Sequence, residues 1–201
     1  MQLQLQRLAH RTNQQLTSRS TALQLLKRSA TYSLIAVICG AYLLWQFVPT
    51  LQNDLLLPSL EVLKYNNEWY RLFTVALTHA NPLHLGFNMY ALMVLGNPLE
   101  VTFGKKKYLT VFFFSLLTGS LASAYLAPMY GISVGASGAV FGLFGAMVVV
   151  GKKIGADVRS IAAIIGINFF IGFAIGGVDW GAHLGGLIGG ALAAQIVLAK
   201  R

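Results

Sequence analysis

The run YGISVGASGAVFGLFGAMVVV, Tyr130 to Val150, carries no charged residue and holds Gly135-Ala136-Ser137-Gly138 near its start. A serine opening a membrane helix can be trivial, because its hydroxyl bonds local backbone at little cost. Here small residues surround it, so other backbone can come close. Two further apolar segments also place a histidine at a matching depth. The three segments are therefore read together, as walls of one site in a membrane-embedded bundle.

Composition supports that setting. Of 201 residues, 56% are hydrophobic and 10% are charged. Soluble domains carry about 25% charged residues, so the composition fits a polytopic, all-α membrane protein. Packing between helices in lipid must then hold the fold. The single cysteine, Cys39, lies in an apolar run and has no second cysteine to pair with within the chain.

Six candidate spans are predicted at about 30–49, 82–100, 107–127, 137–151, 159–177 and 180–199, each near the ~20 residues a bilayer core requires. The fourth is short. Residues 1–29 read as a polar, basic cytoplasmic extension, and 30–201 as the six-helix domain. The extension is not expected to be a cleavable leader, since the apolar run behind it is long enough to span. A basic tail beside a membrane attracts anionic lipid. The first outer loop, about 50–81, is too long for a simple turn and is expected to carry structure of its own.

Loop charges orient the chain. Basic residues precede the first span, Lys105, Lys106 and Lys107 separate the second and third, and Lys152, Lys153 and Arg159 separate the fourth and fifth. Lys200 and Arg201 close the sequence, and of the fifteen basic residues only Lys64 and Arg71 fall in the alternate loops. The positive-inside rule then predicts both termini in the cytoplasm. The formal charge of +9 is accounted for by topology. It is not read as a nucleic-acid footprint.

Depth arithmetic gathers the polar residues. Ser137 precedes Lys152 by 15 residues, a lift of roughly 22 Å at 1.5 Å per residue. His183 precedes Lys200 by 17, roughly 25 Å, and His84 precedes Glu100 by 16, roughly 24 Å. In a core ~30 Å thick, all three lie a few ångströms inside the outer boundary. Intramembrane ionisable residues are functional candidates by default. Asn88 follows His84 by four and shares its helix face. Gly138, Gly142 and Gly145 on the fourth span, with Gly186 and Gly190 on the sixth, form small-residue stripes that let two helices approach closely.

A serine hydroxyl becomes a useful nucleophile when an adjacent base takes its proton. His183 is the base at the right depth, so the economical reading is a Ser137-His183 dyad. Asp179 could orient the imidazole, but more simply caps the sixth helix. His84, Asn88 and the Ser137 backbone N–H would supply donors to a developing oxyanion. A fourth span starting below the outer surface would leave room for water above Ser137. His79, just before the second span, reads as interfacial. Arg71 and Glu100 read as structural hydrogen-bonders that tie loop to helix ends. The pair His79 and His84 lacks a third ligand at metal spacing, and there is no His-Glu-x-x-His helix.

At this point the residues resemble the rhomboid intramembrane serine proteases. The matching pieces are Glu68-Trp69-Tyr70-Arg71, His84-Leu-Gly-Phe-Asn88, Gly135-Ala-Ser137-Gly138 and Ala182-His183-Leu-Gly-Gly186, in the family's order and over roughly 30–199. The resemblance implies a six-helix bundle that cleaves transmembrane protein substrates near their outer boundary. It implies Ser137 as nucleophile, His183 as base and then acid, and His84 and Asn88 as oxyanion stabilisers. The region around 176–180 with the fifth span would be a cap or lateral gate, and no metal or organic cofactor is implied. The setting it implies is a bacterial plasma (inner) membrane, with the site opening on the extracytoplasmic side.

Two departures stand out. Tyr70 occupies the place before the loop arginine where the family commonly has Trp, although Trp69 adjoins it. Phe141 stands four residues after the nucleophile, where many bacterial members carry Tyr. A ring without a hydroxyl can still stack, so the histidine is expected to stay oriented.

The competing readings are a catalytically silent rhomboid-like protein that binds membrane helices, and a small transporter. Silent relatives usually lack the serine or the histidine, and both are present here. Transporters tend to show internal repeats, and none is convincing in this chain.

Overall fold

The computed structural model describes residues 29–175 and 178–199. Nearly all of the expected polar extension, and positions 176 and 177 of the expected gate, lie outside the described residues. Helices α1 (Ala30–Phe47), α2 (Pro49–Leu55), α3 (Leu60–Asn66) and α4 (Arg71–Thr74) are followed by α5 (Pro82–Phe103) and α6 (Lys105–Leu126). Helices α7 (Ser137–Val150), α8 (Val158–Ile175) and α9 (Trp180–Ala199) complete the order. Among them, α1, α6, α9 and the segment Ser137–Ile154 are long and apolar enough to cross a bilayer. Helix α5 has the length, at 22 residues, but is interrupted by His84, Asn88, Asn97 and Glu100. The protein is a multi-pass, helical membrane protein.

Each boundary has a local cause. Helix α1 starts at Ser29, whose hydroxyl accepts the Tyr32 N–H. Its remaining first-turn donors reach across to Glu100 of α5. That carboxylate accepts from the Ser29 hydroxyl at 2.8 Å, the Ala30 N–H at 2.7 Å, and the Thr31 N–H and hydroxyl at 2.9 and 2.8 Å. Helix ends leave donors that must be satisfied, and here another helix supplies the acceptor. Helix α5 begins with Asn81 as N-cap and Pro82 at its first position, where proline's missing N–H costs nothing. It ends at Gly104, whose φ is +75°.

The outer loop carries structure, as expected. Arg71 is buried and donates to the Asn53 and Leu56 carbonyls at 2.5 and 3.0 Å, with Glu68 2.9 Å away. Two short strands, β1 (Leu57–Pro58) and β2 (Ile132–Ser133), pair antiparallel. The Ser59 hydroxyl donates to the Met129 carbonyl at 2.7 Å. The outer loop is thus bonded to the segment that leads into Ser137.

Three helices make the centre. A Cβ at Gly186 or Gly190 of α9 would collide with the Gly138 or Gly142 carbonyl of α7, and one at Gly145 with the Leu187 carbonyl. A Cβ at Gly185 would come 2.5 Å from Ala122 Cβ of α6, and one at Gly189 would strike Thr118. Helix α9 therefore meets α7 on one glycine stripe and α6 on another, at backbone-to-backbone distance. Without a hydrophobic drive between helices in lipid, such close packing is a main source of association. The third face of α9, with Leu184, Ile188, Leu192 and Ile196, is exposed, as lipid contact requires.

Candidate active site

The starts of α5, α7 and α9 meet at one end of the bundle. At the opposite end, the Lys107 ammonium donates to the Val197 carbonyl, so the start of α6 adjoins the finish of α9. Gly135 has a φ of +114°, a conformation that L side chains rarely adopt. A Cβ there would lie 2.8 Å from Cε1 and 3.2 Å from Nε2 of His84. Glycine at 135 is thus required twice, by its backbone angle and by the imidazole laid against it.

Asn81 holds the His84 N–H at 2.8 Å, fixing the histidine in the first turn of α5. Its Nδ1 accepts from the Ala80 N–H at 3.4 Å. A neutral imidazole with Nδ1 accepting carries its proton on Nε2, the atom that lies beside Gly135. Asn88 is buried one turn on, and one of its amide hydrogens goes to the His84 carbonyl at 2.9 Å. Its amide nitrogen carries a second hydrogen as well.

Ser137 is the first residue of α7 and half-buried. Its neighbour Gly138 packs on Ala182, where a Cβ would lie 3.4 Å from the carbonyl oxygen. Ala182 directly precedes His183, which is buried. The Phe141 ring, one turn after Ser137 on the same face, stacks on the His183 imidazole with centroids 3.9 Å apart and planes 10° from parallel. The expected stacking without a tyrosine hydroxyl is observed. Asp179 caps α9 as expected, accepting the Ala182 N–H at 2.8 Å.

His79, read as interfacial, is enclosed by protein. It is fully buried, packs edge-on against His84 at 5.2 Å, and its Nε2 accepts the Ala136 N–H at 3.4 Å. Burial, with nearby His84 second, holds its pKa down to about 3, so the ring stays neutral. A second unforeseen residue is Ser123, whose hydroxyl donates to the Asp179 carboxylate at 2.5 Å.

A serine at a helix start, a stacked imidazole, a second imidazole and a buried amide lie at one end of a multi-pass helical membrane bundle. Residues 66–200 match the Rhomboid domain, and the chain belongs to the rhomboid family. Rhomboid protease GluP of Bacillus subtilis (strain 168) is 39% identical over 135 residues, covering 63% of this chain and 26% of that protein. YdcA of the same organism is 33% identical over 141 residues, 68% of this chain and 71% of that protein. RHOMBOID-like protein 1 of Arabidopsis thaliana is 35% identical over 173 residues, 77% of this chain and 44% of that protein. The chain thus spans about a quarter of GluP and less than half of the plant relative.

Proposed function

We propose that the protein is an intramembrane serine endopeptidase that hydrolyses peptide bonds in or near transmembrane segments of membrane-protein substrates. One observation carries the reading: the Phe141 ring, on the Ser137 face of α7, lies flat on the His183 imidazole. That stack sets the imidazole plane against the helix that begins at Ser137. The family membership and the printed names of GluP and of Rhomboid-like protease 3 of Toxoplasma gondii support the same class of reaction.

In this mechanism the Ser137 hydroxyl attacks the scissile carbonyl while His183 accepts its proton. The His84 Nε2–H, the second Asn88 amide hydrogen and first-turn N–H groups of α7 stabilise the oxyanion, a term worth about 2.7–4 kcal/mol per donor in comparable sites. His183 returns the proton to the leaving amine as the C–N bond breaks. Water, deprotonated by His183, then attacks the acyl-serine and regenerates the hydroxyl. The protein works as a six-span bundle in the plasma (inner) membrane, both termini cytoplasmic and the site opening to the other side.

The test is cleavage of a model single-span substrate by purified protein, beside Ser137→Ala and His183→Ala, with fluorophosphonate labelling in parallel. The expected result is cleavage lost in both variants and labelling lost in Ser137→Ala. Cleavage that survives Ser137→Ala would remove the serine from the mechanism. A folded wild type that neither cleaves nor labels would favour a silent membrane-helix binder.

A further inference from the structure

Asp179 has both carboxylate oxygens engaged, and in different helices. Oδ1 accepts the Ala182 N–H at 2.8 Å, an ordinary first-turn cap. Oδ2 accepts the Ser123 hydroxyl of α6 at 2.5 Å. Ser123 is 4% exposed, and its part-buried bond to Asp179 joins the last turn of one helix to the start of another. Capping α9 requires only one oxygen. The second bond fixes where α9 starts relative to α6.

The residues that follow are held to the same register. A Cβ at Gly181 would come within 3.3 Å of Leu126 Cδ1 and 3.4 Å of the Ala122 carbonyl. The Ala182 carbonyl is wedged between two glycines, since a Cβ at Gly119 would sit 2.8 Å from it and one at Gly138 3.4 Å. His183 comes next, its N–H bonded to the Asp179 carbonyl at 3.1 Å. The turn from Asp179 to Ala182 is thus clamped between α6 and α7, and the imidazole is the first side chain beyond the clamp.

We infer that Asp179 is a positioning residue for His183, acting through its clasp with Ser123 to set the height of the imidazole beside Ser137. The inference rests on the protease reading above. Misplacing a reacting group by 1 Å can cost about 100-fold in rate. The clasp restrains the helix end that carries His183 against Phe141.

The experiment compares wild type, Ser123→Ala, Asp179→Asn and Asp179→Ala for kcat and KM on the model substrate, for the fluorophosphonate labelling rate, and in side-chain spectra of 15N-histidine-labelled protein. Loss of a cap together with an interhelical bond should lower kcat and the labelling rate of Asp179→Ala at least about tenfold, with KM within about twofold. Asparagine can both cap and bond Ser123, so Asp179→Asn should recover most of the loss. The His183 ring signals should move in Asp179→Ala while those of His79 and His84 stay. Ser123→Ala keeps the cap and should lose about threefold or more in kcat, which tests the clasp even if Asp179→Ala fails to fold. Unchanged kcat and unchanged His183 signals in folded Ser123→Ala or Asp179→Ala would overturn the inference. If wild type labels at Ser137 and those variants match it, the clasp fails alone. If wild type neither labels nor cleaves, the protease reading fails, and the inference with it.

Discussion

The His183 imidazole and the Phe141 ring lie face to face, 3.9 Å between centroids and 10° from parallel. They come from different helices, so the stack sets the imidazole plane against the face of α7 that begins with Ser137. Aromatic pairs are worth about 0.5–1.5 kcal/mol beyond the area they bury. Phe141→Ala should therefore lower kcat by about 2- to 10-fold, since 1.36 kcal/mol is a factor of ten. Phe141→Tyr keeps the ring and should stay within about twofold. Steady-state cleavage assays check both, and a Phe141→Ala enzyme with wild-type kcat would remove the stack from the mechanism.

Much of the helical order was legible because its signals are local. Apolar runs between charged loops marked the helices, and the Ser137 start lay in the glycine-rich turn before it. The stripes at Gly138, Gly142, Gly186 and Gly190 foretold close approach of α7 and α9, and each now faces backbone across that seam. What the sequence concealed was tertiary. Nothing local to His79 announces that Ala136, far along the chain, would donate to it. Nothing local to Ser123 distinguishes it from Ser115, which bonds its own helix at Val111, yet Ser123 reaches a different helix.

The stripe makes a steric prediction. In Gly186→Ala the new methyl meets the Gly138 carbonyl, and backbone cannot swing aside as a side chain can. Overpacking of this kind costs about 1–3 kcal/mol, more than the roughly 0.5–1 kcal/mol alanine gains over glycine in a helix. Gly86→Ala in α5 meets nothing within 4 Å and should be neutral or stabilising. Thermal unfolding in detergent should place Gly186→Ala below the parent protein and Gly86→Ala level with it or above. Equal melting points would mean that the α7–α9 seam is looser than described.

Glu100 makes another. It accepts four hydrogen bonds from Ser29, Ala30 and Thr31, and two of those donors are backbone N–H groups of buried residues. Glu100→Ala strands them, and hydrogen bonds to charged groups are worth about 1.5–3 kcal/mol each. The variant should lose at least about 2 kcal/mol of stability, with α1 detaching first. Protease nicking near residue 30 would report that detachment. Glu100→Gln retains an acceptor and should lose less.

His79 gives the pH dependence. It lies in the loop before α5, fully buried, with its pKa lowered from 6.5 to about 3, first by burial and then by His84. The unfolded chain binds a proton at this site below about pH 6.5, whereas the folded chain stays neutral until about pH 3. Between those values the unfolded state holds more protons, so stability falls as pH falls through that window and is fully present above it. The melting temperature should drop as pH goes from 7 to 5, and His79→Gln should show a shallower drop, because glutamine does not titrate. Glutamine can still accept the Ala136 N–H through its side-chain oxygen, which keeps the segment before Ser137 in place. Identical slopes in the two proteins would mean that His79 takes up its proton without leaving the fold, and that its contact with Ala136 does not require a neutral ring.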